Sequence, residues 1–253
     1  MSDDAAQNDA VQGGAVDIDG PAVMRMRRHE RDHDVPWALP IVVRRSKADI
    51  ARHVDVLETV AEAVAVFLDD PRSQPGGSWY DDVEFWRDGA IRKVVRRGDG
   101  KQFEDAAVLE CVHVEHPGHD GFGDADVLVL PPGPVQPLPR ELKKLQVGGT
   151  EFPLSADGGD GESFTVDPVV RIELSPHVDL STGKAAAQCG HAAQLAYEQM
   201  PQEKRDTWRE DGFRVRVETA AKDAWDGGTA PVQVVDAGFT EVDGPTETVR
   251  ARW

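Results

Sequence analysis

The apolar positions of this chain fall into two similar series, separated by a polar, glycine-rich stretch. In the first series the run 39–43 predicts a strand. Ile50, Val54, Leu57, Ala61, Val64 and Leu68 then recur at steps of three and four. That spacing puts one apolar stripe on a helix over 47–68. Strands follow near 91–95, 109–114 and 127–130, and Pro139 starts a short helix over 139–146. The second series repeats the order. A strand over 169–174 leads into a helix over 184–200, and strands follow near 213–217, 232–235 and 248–252. Strands alternating with helices predict an α/β fold of two tandem units, each a mixed four-stranded sheet flanked by helices.

The two series also match residue by residue. Trp86-Arg87-Asp88-Gly89-Ala90-Ile91-Arg92-Lys93-Val94 parallels Trp208-Arg209-Glu210-Asp211-Gly212-Phe213-Arg214-Val215-Arg216. Val112-His113-Val114 parallels Val232-Gln233-Val234, and Ile41-Val42-Val43-Arg44 parallels Val169-Val170-Arg171-Ile172. Three matches in one order predict duplication of one fold. The boundaries follow: a disordered acidic tail over 1–22, a first unit over 23–147, a linker over 148–164 and a second unit over 165–253. The basic stretch 24–33 reads as a flexible lead-in.

Charge changes the picture of possible partners. The chain carries 28 Lys and Arg against 46 Asp and Glu, a net charge of −18. Such a surface repels phosphate at long range, so a nucleic-acid partner needs a local basic patch. Arg214 and Arg216 alternate with Phe213, Val215 and Val217 on one strand and are the candidate for it, with Lys204, Arg205 and Arg209 nearby. The run Arg92, Lys93, Arg96, Arg97 and Lys101 reads rather as a solvated strand end. Cys111 and Cys189 are too far apart for a paired metal motif and read as small buried side chains. With no long apolar run and no secretory start, the expected setting is a reducing cytoplasm, away from membranes.

One run carries chemistry. Ser181-Thr182-Gly183-Lys184-Ala185-Ala186-Ala187-Gln188-Cys189-Gly190-His191-Ala192-Ala193 opens the helix of the second series. Ser181 or Thr182 can cap its first amides. Lys184, Gln188 and His191 stand at i, i+4 and i+7, on one face, among small residues that let another element approach. The run is no phosphate-binding P-loop, because Val178 and Ala185 stand where that motif needs Gly and Ser/Thr. Taken singly, His191 would be a satisfied helix residue and Lys184 a solvated charge.

This run resembles the first-helix signature of the archaeal and eukaryotic-type (family 2) peptidyl-tRNA hydrolases, in Gly183, Lys184, Ala186, Ala187, Gln188, His191 and Ala192. A second signature of that family is similar to Asp236-Ala237-Gly238-Phe239-Thr240. The resemblance covers the second unit. It implies hydrolysis of the ester of peptidyl-tRNA, with Lys184, His191 and Asp236 as the polar centre. Gln188, Thr240 and Gly183 would support substrate, and no metal or organic cofactor would be needed. His191 could act as base, held in one tautomer by Asp236, with Lys184 meeting negative charge at the helix start.

The chain departs from that family in three places. Thr248-Val249-Arg250-Ala251-Arg252-Trp253 stands where an Ile-Gly-Pro turn and a last helix are expected. Glu241 follows Thr240 where Gln is frequent. The first unit lacks the helix signature and has His116 at the place of Asp236. These departures imply a fused pseudo-dimer whose first unit covers what the second leaves exposed. They keep open an alternative, a non-catalytic member binding tRNA or a protein, as well as hydrolysis of another ester or amide. His113, His116 and His119, with Glu115 and Asp120, read as a polar loop rather than a metal cluster.

Overall fold

The computed structural model describes residues 33–155, 161–236 and 244–253, and residues 22–25 by their backbone. The first series forms β2 (Trp37–Arg44), α1 (His53–Asp69), α2 (Tyr80–Asp88), β3 (Lys93–Gly98), α3 (Lys101–Ala107), β4 (Val112–His116) and β5 (Ala125–Val129). A two-residue β6 (Gly133–Pro134) and α4 (Arg140–Lys143) follow. The second series forms β7 (Val170–Leu174), α5 (Thr182–Gln199), α6 (Gln202–Glu210), β8 (Val215–Thr219), α7 (Lys222–Gly227), β9 (Val232–Asp236) and β10 (Thr246–Arg252). Ahead of both lies β1 (Ala22–Arg25), a strand in what the sequence marked as tail and lead-in.

The two sheets are built alike. The first runs β3-β2-β5-β4 and the second β8-β7-β10-β9. In each, the first strand pairs parallel with the second and antiparallel with the fourth, and the third pairs antiparallel with the fourth. The second sheet is extended by β1, parallel to β9, and β6 pairs with the start of β2. The likeness reaches single residues. Leu39 faces Lys93 across one parallel pair and Val170 faces Val215 across the other. The indole N–H of Trp86 donates to the Arg92 carbonyl at 2.9 Å, and that of Trp208 donates to the Arg214 carbonyl at 2.9 Å. Ile91 and Phe213 both take left-handed backbone, at φ 41° and 59°. Bulky side chains avoid that region, at a cost of about 1–3 kcal/mol, so packing must enforce it twice.

Several boundaries differ from the sequence expectation, two of them for tertiary reasons that the contacts show. The first helix begins at His53 rather than 47. The Gly123 amide takes the Ile50 carbonyl and the His53 amide donates to Pro153, which holds the lead-in extended. Strand β8 begins at Val215 rather than 213, because Phe213 turns into the core against Trp208 and Tyr197.

Helices α1 and α5 run side by side in the same direction. At one end His53 Nδ1 lies 2.8 Å from Thr182 Oγ1, and at the other Tyr197 donates to Asp69 at 2.8 Å. Each helix lies on its own sheet and also reaches an edge strand of the other, α1 meeting β8 and α5 meeting β3. One hydrophobic core therefore joins both units, from Ile41 and Val129 through Leu57, Val60 and Val64 to Ile172 and Val234. The small residues of α5 make this closeness possible. A Cβ added at Gly190 would meet Val64 Cγ2 at 3.3 Å and Lys93 Cδ at 3.2 Å. A smaller cluster on the far side of the first sheet packs Phe103 and Leu142 against Val42 and Leu128.

Candidate functional site

The start of α5 is set by its cap. Ser181 Oγ accepts the Lys184 amide at 3.3 Å, as its residue type predicts. The remaining first-turn amides are taken by the incoming segment 150–152. Gly183 donates to the Thr150 carbonyl at 2.9 Å and Thr182 to the Glu151 carboxylate at 3.3 Å. The Phe152 amide donates to Thr182 Oγ1 at 3.1 Å. A Cβ at Gly183 would meet Thr150 Cβ at 2.9 Å, so glycine here serves a close chain crossing. The stretch read as a linker thus buries Thr150 and Phe152 and covers the helix end where phosphate was expected to gain from the dipole.

Two turns of α5 then face the end of β9. The Lys184 ammonium forms a salt bridge with the Asp236 carboxylate, which is 1% exposed. Gln188 Nε2 donates to Asp236 Oδ2 at 2.8 Å. A carboxylate only accepts, so the amide orientation of Gln188 is fixed by chemistry. That leaves Gln188 Oε1 as a buried acceptor with no hydrogen-bond partner among the described residues. Such an atom costs about 1–3 kcal/mol when unmet, so it is open to a donor that the described residues do not supply.

His191, the third residue of the face, is buried and makes no hydrogen bond to this pair among the described residues. Its Nδ1 is 3.2 Å from Lys93 Nζ, contributed by β3 of the first unit. Burial, then the Lys93 ammonium and the Lys184 ammonium, hold its pKa well below the usual imidazole range. The expected picture of His191 steadied by Asp236 is thus replaced: Asp236 serves Lys184 and Gln188, and His191 meets a lysine. Lys93 is the residue that sequence reading missed, taken there for part of a solvated strand end. Its signal was in the duplication, because it aligns with Val215, an inward-facing apolar position.

The arginines chosen as a nucleic-acid patch do not form one open surface. Arg214 pairs with Asp211, and Arg216 is held by Glu218 and by the Ser163 and Thr165 carbonyls. Arg209 grips Asp69 of the first unit and also Asp206, and Arg205 stacks over Tyr197. Each is spent largely on internal contacts. Thr240 and Glu241 lie outside the described residues, as do 237–239 of the second signature. His113, His116 and His119 go to separate partners. His113 meets Asp126 at 2.6 Å, His116 meets Glu62 at 2.8 Å, and His119 stacks on Phe164. Among the described residues no group of three His, Cys, Asp or Glu side chains is placed to hold a metal ion. None of their helices is long and apolar enough to cross a membrane. Cys189 is buried, and burial pushes its thiol pKa up.

Residues 168–251 match the family model described as Peptidyl-tRNA hydrolase PTH2. The match takes in β7 through most of β10, with Lys184, Gln188, His191 and Asp236, and leaves the first unit outside it. No curated protein and no solved structure matches the chain.

Proposed function

We propose that the chain hydrolyses the ester of peptidyl-tRNA, releasing free tRNA and peptide, at the Lys184–Gln188–Asp236 cluster of its second unit. The observation that carries this reading is the buried, unmet Gln188 Oε1 beside a lysine–carboxylate pair. Ester hydrolysis needs a held water and a cation near the developing oxyanion. Gln188 Oε1 accepts a hydrogen bond from the water. Lys184 meets the negative charge that grows on the carbonyl oxygen. Asp236 keeps both side chains in place. Water adds to the carbonyl carbon, the bond to the ribose oxygen breaks, and a proton from the water ends on that oxygen. The resemblance of the helix motif and the match over 168–251 supply the substrate class. The setting proposed is the cytoplasm.

The runner-up is a non-catalytic member that binds tRNA or a protein. The internal pairing of Arg209, Arg214 and Arg216, with a net charge of −18, favours it. One assay separates the two readings: release of deacylated tRNA from a blocked aminoacyl-tRNA by the parent and by Lys184→Ala. Turnover by the parent and its loss in the variant supports hydrolysis. Saturable tRNA binding without turnover by either protein replaces hydrolysis with the binding reading.

A further inference from the structure

Lys93 is costly where it stands. It is buried on β3 with its stem along Gly190 and its nitrogen 4.9 Å from the centre of the Trp86 ring. It has no salt bridge to a carboxylate among the described residues. Its contacts are Gln194 Oε1 at 2.5 Å and His191 Nδ1 at 3.2 Å. Burying a charge this way opposes folding, and a methionine of similar volume would fill the space without that cost. Stability therefore does not explain a lysine here. Its contact with the α5 motif does.

The hydrogen bonds around it are directional. Gln194 Nε2 donates to the Glu198 carboxylate at 3.0 Å, so Gln194 Oε1 must face Lys93 and accept from it. One N–H of Lys93 is committed in either charge state. As an ammonium, Lys93 also donates to His191 Nδ1 and leaves the imidazole proton on Nε2. As an amine, it can offer its lone pair to Nδ1–H, which frees His191 Nε2 as a base.

We propose that Lys93 and His191 form a proton relay for the hydrolysis proposed above, on which this inference rests: His191 Nε2 takes a proton from the attacking water while its Nδ1 proton passes to the Lys93 amine. The water oxygen bonds to the ester carbonyl carbon. As the bond to the ribose oxygen breaks, the proton on Lys93 returns through His191 to that oxygen. One water is consumed, a carboxyl and a ribose hydroxyl are formed, and both side chains regain their starting state. At no step does the buried site hold an imidazolium, which burial, Lys93 and Lys184 all disfavour. Lys93 acts through His191 and is a positioning residue. The groups that face the pair are Gln194 and Glu198 on α5, Trp86 and Arg87 on α2, and Lys184 two turns back on the same face. Burial lowers the Lys93 pKa to about 7, with Glu198 opposing and Arg87 adding to the effect.

The test uses the full chain. Imidazole nitrogen NMR reads the tautomer of His191 with no need for turnover. The expected result is Nε2–H below about pH 7 and Nδ1–H above it, a change absent from Lys93→Met. Turnover of blocked aminoacyl-tRNA rises through the same pH in the parent. Lys93→Arg, protonated throughout, loses about 10²-fold or more at every pH, since it cannot accept the proton. Lys93→Met loses the pH limb while its thermal midpoint stays equal or rises, which a merely structural lysine would not do. An unchanged pH limb in Lys93→Met overturns the relay, as does a parent His191 that keeps one tautomer across that pH. A tautomer change in a parent that cleaves no tRNA ester overturns the hydrolase reading and the relay with it, and leaves only the pairing of the two side chains.

Discussion

The two units share strand order, a tryptophan-to-carbonyl bond and a left-handed residue before the second strand, yet they place opposite chemistry at the same address. The third and seventh residues of α5 are Lys184 and Gln188, and those of α1 are Asp55 and Thr59. The last residue of β9 is Asp236, and that of β4 is His116. Cation and anion have changed places. In the first unit both groups are then closed off by neighbours of their own. Arg52 clasps Asp55 through bonds of 2.8 and 2.6 Å, and Glu62 holds His116. No buried acceptor is left unmet at Thr59, whose hydroxyl donates to the Asp55 carbonyl. The two units thus keep the same packing with different groups at the matching address.

Separating the units should have the largest effect. Residues 163–253 made alone would bare the side of α5 that meets Leu57, Val60 and Val64. Each such fully buried side chain contributes about 1.5–3 kcal/mol. The expected outcome is an unfolded or aggregating fragment by circular dichroism and sedimentation. A folded, monomeric fragment would break the view of one shared core. Next comes the site itself. Asp236→Asn leaves Lys184 without its counter-ion, and turnover should fall about 10²–10³-fold. His116→Ala at the matching place in the first unit should leave turnover unchanged. Equal losses in both variants would mean that the two addresses have not diverged in function.

The closed-off address should instead govern stability. Asp55→Ala removes the nearest counter-ion of the buried Arg52, which keeps Asp120 at 3.6 Å, and urea unfolding should show a loss of about 2–3 kcal/mol with turnover per folded molecule retained. A smaller effect follows from Lys93. Its folded pKa is depressed, so between about 7 and its ordinary value the unfolded chain binds the extra proton. By linkage, the parent gains stability as pH rises through that window. The midpoint advantage expected of Lys93→Met is therefore largest below pH 7 and shrinks above it, as thermal scans across pH will read. The smallest effect is Arg209→Ala. Its bond to Asp69 ties the units but is partly solvent-screened, so at most about 1 kcal/mol is expected.

Much of this was legible in the chain. The stripe from Val54 to Leu68 and the alternation of 215–217 gave the elements, because burial on one face imposes its period on any sequence that folds so. The matched Trp86 and Trp208 segments gave the likeness of the two units. Lys184, Gln188 and Asp236 were named from their motif, and the structure brings those three together. Boundaries set by distant partners were not legible. His53 opens its helix because Pro153, a hundred residues on, takes its amide.

The sequence by itself determined the α/β class, the two copies and the helix face that carries Lys184, Gln188 and His191, since these depend on local period and residue type. Only the tertiary structure decided which groups that face meets. It sent Asp236 to Lys184 and Gln188, gave His191 to Lys93 of the other unit, and paired Arg209, Arg214 and Arg216 with carboxylates close by. Charge and hydrogen-bond partners are fixed by which surfaces the packing of two parallel helices brings within about 3 Å, and spacing along a chain does not encode that distance.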